Sequence, residues 1–400
     1  MKRPPHVLFV IHQIGSGADG GIRSITEIIR SIPDVPKTVI TNIESPVTDS
    51  LRKVAPVEIW PMVEDAYNVG QARVRFRMAQ IRARLANSAR TWAKARRTGG
   101  LVLHANDYRA FWNTAPGAKL AGARLIFNVR DTLREGSRSV GMWRRALGLC
   151  DRFLVLSREM AASWRRDLEP ASSRPANRDK FSHLYSIVDR TRFHPVGPRE
   201  RDHLRATLGI DPARPAIVYV GRFDDKKAQR DFIDHALPAL KAVRPDAVTY
   251  FVGDFEPDRD PYAAGCAAAV DRLGMRDQVR FMGYSPHAAD WYRAADIVAL
   301  ASRRGGLPRC MIESLGCGAA FVSFDVCSTR EILEGHDCGI AVPHGDYRAL
   351  AGAIADLLGD DARRNAYQRK GPVLVAELFD PAINGARYEA LLAEVAGVNR

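Results

Sequence analysis

What most constrains this chain is an alternation. Short apolar runs and stretches with helical spacing follow one another along its whole length. HVLFVI (6–11), KTVIT (37–41), VEIW (57–60), LVLHA (101–105), RLIFNV (124–129), RFLVL (152–156) and SHLY (182–185) read as strands in the first half. AIVYVG (216–221), AVTYFVG (247–253), QVRFMG (278–283), DIVALA (296–301), AAFVSF (319–324) and GIAVP (339–343) follow in the second. Such runs suit strands buried on both faces, with the intervening helices of about 10–20 residues as the cover. The expected fold class is α/β, with two doubly wound, Rossmann-like domains. RFHPVGPRERD (192–202), rich in Pro and charge, reads as the linker, giving domains at 1–195 and 196–378.

With 400 residues, 46% apolar and 26% charged, the chain has material for two cores. Cys150, Cys266, Cys310, Cys317, Cys327 and Cys338 show neither C-x-x-C nor zinc spacing, which argues for a reducing compartment and against a metal or disulfide framework. The opening MKRPPHVLFVIHQIGSG has an apolar run of only VLFVI, so it reads as a buried first strand rather than a signal peptide. No apolar stretch approaches the roughly 20 residues that span a bilayer. The expected location is cytoplasmic, or peripheral on the inner face of the cell membrane.

Charge is unevenly spread. Residues 1–200 hold 34 Lys and Arg against 18 Asp and Glu, whereas 201–400 hold 25 against 28. The basic half should favour an anionic surface, polymer or phosphate. Within it, QARVRFRMAQIRARLANSARTWAKARR (71–97) places Val74, Met78, Ile81, Leu85, Ala89 and Trp92 at steps of three and four, with nine basic residues and no acid. This is either a core-packed helix with a solvated basic face or a helix lying on an anionic membrane surface. Nucleic acid is not expected, since no helix-turn-helix, zinc finger or aromatic platform accompanies the charge.

Four motifs carry candidate chemistry. GSGADGG contains G-x-G-x-x-G at Gly15, Gly17 and Gly20 after the first strand, with Glu44 as a possible ribose acid for a nicotinamide cofactor. Its alternative uses are a slack loop, or backbone amides around Gly20 and Gly21 that approach a diphosphate. VYVGRFDDKK delivers Arg222 from a strand end and Lys227 at a helix start, two cations that could flank one phosphate. DRD (258–260) has no third ligand suggested and reads as a loop, so no metal site is expected. SRRGGLPRCMIESLGCG (302–318) opens a helix on Gly-Gly-Leu-Pro, with Pro308 in its first turn and one carboxylate, Glu313, among apolar residues. Uncovered amides at such a helix start suit a phosphate or sugar hydroxyl, and a carboxylate suits a hydroxyl pair.

Taken together, these segments resemble a retaining glycosyltransferase of the GT-B fold, in the large group called glycosyltransferase family 4 (group 1). VGRFDDKKA is similar to the family's G-R-x-x-x-x-K-G, with Ala228 in place of glycine. VGDFEPDRD, VRFMGYSPHAADWYRAADIVALAS and SFDVCSTREILEGHDCGIAVPHGD follow its order, and HAND (104–107), VLS (155–157) and IVDRTRFHP (187–195) its first domain. The resemblance implies two domains facing across a cleft, and a C-terminal helix, 379–400, that packs back on the first. It implies that Arg222 and Lys227 contact the donor diphosphate and that Glu313 holds the ribose. Gly20, Gly21, Gly253, Tyr284, Gly305, Gly306, Leu307 and Pro308 are implied to line the donor site. Arg130 and Asp131, in NVRDT, are implied catalytic residues of the first domain.

Two departures stand out: Gly305 occupies the first position of the family's E-x7-E, and Arg130 stands where histidine is usual. The loss of the first acid beside Arg303 and Arg304 suggests tolerance of an anionic sugar. The activity implied is metal-independent, hexosyl-type transfer from a UDP- or GDP-sugar, UDP ahead of GDP, to a glycan or lipid-linked acceptor in polysaccharide biosynthesis. The alternatives are a binding paralogue without activity, a nucleotide-sugar epimerase and an NAD(P) oxidoreductase.

Overall fold

The computed structural model describes residues 5–14, 20–62, 73–132, 140–168 and 180–397. Seven strands, β1 (His6–Ile11), β2 (Lys37–Thr41), β3 (Val57–Ile59), β4 (Leu101–Ala105), β5 (Arg124–Asn128), β6 (Arg152–Val155) and β7 (Phe181–His183), form one sheet in the order β3-β2-β1-β4-β5-β6-β7. Six more, β8 (Ala216–Val220), β9 (Val248–Val252), β10 (Val279–Phe281), β11 (Ile297–Leu300), β12 (Ala320–Phe324) and β13 (Gly339–Val342), form a second in the order β10-β9-β8-β11-β12-β13. Every pairing among the described residues is parallel. Chain direction across each sheet reverses at its first strand: β1 lies between β2 and β4, and β8 between β9 and β11. Those are the switch points at which open α/β sheets hold ligands.

The chain divides into two units, Met1–Ile187 with Pro381–Arg400, and Val188–Asp380. The last helix, Pro381–Ala396, belongs to the first unit for a hydrophobic reason. Its Tyr388, Leu391, Leu392 and Val395 share one core with Phe9 of β1 and with Ile25, Ile28 and Ile29 of the Gly20–Ser31 helix. A buried polar contact fixes its register, with His104 Nδ1 of β4 2.6 Å from the Tyr388 hydroxyl.

The stretch 192–202, expected to be the linker, is bound to the second unit. Arg293 donates to the carbonyls of Arg192 and His194, at 2.7 and 3.0 Å, and Arg192 donates to that of Pro286 at 2.7 Å. Pro198 opens a helix to Thr207, whose Arg201 and buried Arg205 both pair with Asp296 ahead of β11. The charges that made this segment look solvated are satisfied by that unit, and the change of unit comes earlier, at Ile187–Val188.

The Arg73–Thr98 helix corrects the core-packed reading of 71–97. It lies against the Tyr108–Leu120 helix through Asn87, Ser88, Thr91 and Ala95. Asn87 Nδ2 donates to Asn113 Oδ1 at 3.2 Å, and a Cβ at Gly117 would fall 1.8 Å from the Ser88 carbonyl oxygen, so only glycine permits this approach. The apolar stripe lies on another face of the helix, turned about 110° from that seam: Met78, Ile81, Leu85 and Trp92 are 49%, 49%, 67% and 47% exposed. No helix among the described residues is long and apolar enough to cross a membrane.

Candidate functional site

At the carboxyl edge of the second sheet, two loops are tied into one structure. The first follows β8. Asp224 organises it: its Oδ1 accepts the Lys227 amide at 2.8 Å, and its carbonyl accepts the amides of Lys227 and Ala228 at 3.0 and 3.2 Å. Beneath it the buried Gln229 amide donates to the Arg222 carbonyl at 2.6 Å. Arg222 projects into solvent with Asp224 Oδ2 3.6 Å away, a contact too long and exposed to contribute much stability. Lys227 lays its aliphatic stem over Gly221, where a Cβ would lie 3.5 Å from Cγ and Cδ. A lysine held by its stem keeps its ammonium aimed while leaving it available.

The second loop, after β11, brings the opening stretch of the Arg309–Gly316 helix beside the first. The Arg303 amide donates to the Lys226 carbonyl at 3.0 Å. Gly306, Leu307 and Pro308 are buried. Pro308 lies just before the first helical residue rather than inside the first turn, and the helix start carries no side-chain cap. Glu313 is nearly fully buried, with Arg309 Nε and Nη2 each 2.9 Å from its Oε1. Between the loops sits Cys310, whose thiol is pushed up by burial, drawn down by the Lys227 ammonium and raised again by the Glu313 carboxylate. Lys227 and Glu313 thus face a common neighbour, although they lie 86 residues apart in the chain.

The remaining donor-site residues expected in this unit differ in kind. Gly253 follows β9 and is set by packing: a Cβ there would lie 2.0 Å from the Gly221 carbonyl oxygen, while its amide donates to the Gly283 carbonyl at 2.9 Å. Tyr284, after β10, is 68% exposed at the same edge. Gly305 is half-buried, and a Cβ built on it meets nothing within 4 Å, so its lack of a side chain is not a demand of packing. The neighbouring Arg303 pairs with Asp225 at 2.9 Å and Asp231 at 2.6 Å. Asp260 caps the Pro261–Arg272 helix by accepting the Tyr262 amide at 3.0 Å, which gives the DRD segment a structural role.

The first unit gathers polar groups at the carboxyl ends of β1, β4 and β5. Asp107 caps the Tyr108–Leu120 helix through Oδ1, bonded to the amides of Arg109 and Ala110, and its Oδ2 accepts the His12 amide at 3.0 Å. Asn106 Oδ1 accepts from Asn128 Nδ2 at 3.2 Å and from Arg130 Nε at 3.1 Å. Asp131 offers its carbonyl to Trp164 Nε1 at 3.0 Å. Gly20 and Gly21 open the Gly20–Ser31 helix, Gly20 exposed and Gly21 half-buried. Gly15 and Gly17 lie outside the described residues, and Glu44 pairs with Arg52 on the surface.

Residues 214–360 match the family described as Glycosyl transferases group 1. The chain is 26% identical over 211 residues to the lipopolysaccharide core biosynthesis mannosyltransferase LpsB of Rhizobium meliloti, covering 51% of this chain and 59% of that one. It is 29% identical over 222 residues to a D-inositol 3-phosphate glycosyltransferase of Jonesia denitrificans, covering 50% and 51%. The chain therefore spans little more than half the length of these relatives. Anabaena HepE in complex with UDP superposes with a TM-score of 0.80 at 18% identity, over 97% of this chain and 100% of that one. The fold is GT-B.

Within the GT-B fold several structural partners of the expected site residues escaped the sequence reading. Tyr219, Gln229 and Asp224 hold the β8 loop, yet nothing in their spacing marks them, since their partners are backbone groups. Arg309 did leave a signal: it stands four residues before Glu313, the spacing at which a helix brings two side chains together.

Proposed function

We propose that the chain is a glycosyltransferase that moves a sugar from a nucleoside-diphosphate sugar, a UDP-sugar ahead of a GDP-sugar, to a glycan or lipid-linked acceptor with retention at the anomeric carbon. The observation that carries this reading is the joining of the Lys227 loop to the Glu313 helix start at the carboxyl edge of β8 and β11. The match of that stretch to the group 1 family, and the UDP held by the structural neighbour, support it.

In this reading the anomeric C–O bond to the diphosphate breaks, and its electron pair leaves on the phosphate oxygen. The acceptor hydroxyl oxygen forms the new bond to the anomeric carbon, and its proton passes to the departing phosphate. Negative charge grows on that leaving group, so fixed cations and amide dipoles act most strongly in the transition state. Lys227 and Arg222 are the cations proposed for this role, without a divalent metal. Glu313, oriented by Arg309, accepts from the ribose hydroxyls, and Tyr284 offers its ring to the base.

A thermal-shift screen of UDP, GDP and their sugars tests the reading. A ligand near 100 times its dissociation constant should stabilise the fold by about 2.7 kcal/mol, and Lys227→Ala should abolish the shift. Silence toward every nucleoside diphosphate would sink the proposal. Gly305 and Arg130 favour a second reading, a protein that binds a nucleotide sugar without transferring it. Calorimetric binding with no turnover over a broad acceptor panel would select that one.

A further inference from the structure

The strongest feature left over is the outward face of the Arg73–Thr98 helix. Met78, Ile81, Leu85 and Trp92 recur at helical spacing on a face turned about 110° from the Asn87–Thr91–Ala95 seam, and the helix axis between Met78 and Trp92 runs about 21 Å. Exposed apolar side chains in one continuous row mark an interaction surface, whereas scattered ones do not. Arg77 and Arg84 flank the row on one side and Arg82 on the other, all of them exposed. The segment 71–97 contains no acid to offset them.

We propose that this face docks on an anionic lipid bilayer, the apolar row entering the boundary between headgroups and acyl chains while the flanking arginines meet lipid phosphates. Both halves of the pattern are needed to select this partner. A second copy of the chain would set arginine against arginine, which repels. A nucleic acid or soluble polyanion would use the cations but would leave Met78, Ile81 and Leu85 in water. An anionic bilayer takes both, hydrocarbon for the row and phosphate for the rim. The surface shares no residue with the donor-site loops, so the docking stands or falls separately from the proposed chemistry.

The test is co-sedimentation of the full chain with vesicles of phosphatidylglycerol and phosphatidylcholine, against vesicles of phosphatidylcholine alone. Binding should require the anionic lipid and weaken as salt is raised. Ile81→Ser with Leu85→Ser should lower the partition coefficient by about tenfold while the melting temperature falls only slightly, because both side chains are largely exposed. Arg77→Gln with Arg82→Gln should lower it too. Full vesicle binding by the serine variant would overturn the proposal, as would equal binding to phosphatidylcholine alone. So would sedimentation velocity showing a dimer that the serine variant loses.

Discussion

The Tyr219 hydroxyl donates to the Lys227 carbonyl and accepts from the Ala301 amide, the latter at 2.8 Å. One side chain on β8 thereby sets the height of the lysine loop against the end of β11. Burial pushes this phenol well above its ordinary pKa, so it remains a neutral donor. Tyr219→Phe keeps the ring contacts with Phe232 and Phe251 while removing both bonds. Stability should fall by about 1–3 kcal/mol, because a buried amide and a buried carbonyl lose their partner. Donor KM should rise more than kcat falls, as the residue positions the loop and does not touch the reacting atoms. Denaturation curves and donor-dependent kinetics measure the two effects; an unchanged KM would disconnect the tie from binding.

Gly253→Ala is expected to be far more damaging than a typical glycine substitution. The new methyl would sit 2.0 Å from the Gly221 carbonyl oxygen, which is backbone and cannot swing aside. The ends of β8 and β9 would have to separate, breaking the Gly221 amide bond to the Val252 carbonyl, now 3.0 Å. A loss above roughly 3 kcal/mol is expected, within the range for severe overpacking. Gly305→Ala is the control: its Cβ meets open space, and its melting temperature should match that of the parent protein.

Ala228 offers a change in the opposite direction. Its backbone is left-handed, φ 56° and ψ 32°, yet it carries a methyl group and is buried. An L-residue pays about 1–2 kcal/mol in that region, which glycine avoids; part of the gain is returned through the greater freedom of glycine in the unfolded chain. Ala228→Gly should therefore raise stability by about 0.5–1 kcal/mol without changing the loop, and nucleoside diphosphate affinity should hold. A lower melting temperature would mean that the packing of the methyl outweighs its strain.

How much of this was legible in the residues differs from feature to feature. The strands were, because a strand covered on both faces must be apolar throughout, and VLFVI or IVAL admits few other readings. Arg222, Lys227 and Glu313 could be singled out because each follows a strand end at a spacing the fold demands. The face direction of 71–97 could not be read. A period of three to four identifies a stripe but not the side that meets the protein, and here the buried seam is Asn87, Thr91 and Ala95, small and polar because Gly117 allows the neighbouring helix so close. The domain change was also obscured, since arginines that bind carbonyls and Asp296 look in sequence like arginines that bind water. HAND gave no hint that its histidine serves the core.

That histidine makes the first unit acid-sensitive in a predictable window. His104 is fully buried on β4, its ring 5.1 Å from that of Phe9 and 5.6 Å from that of Tyr388. Burial, and after it the Arg130 charge, push its pKa down from 6.5 to about 3. The folded state therefore holds the imidazole neutral while the unfolded chain takes up a proton below pH 6.5. Its contribution is fully present above 6.5 and is lost as pH falls toward about 3, at up to about 1.4 kcal/mol per pH unit. Asp107 runs the other way, since burial raises its pKa. His6, half-buried on β1, is also pushed down by burial, so the decline in melting temperature between pH 7 and pH 5 is assigned to His104 by comparison with a variant. Replacing both partners, His104→Leu with Tyr388→Phe, leaves no polar group stranded and should flatten the decline over that interval. If the double variant loses as much as the parent, acid is acting at another group.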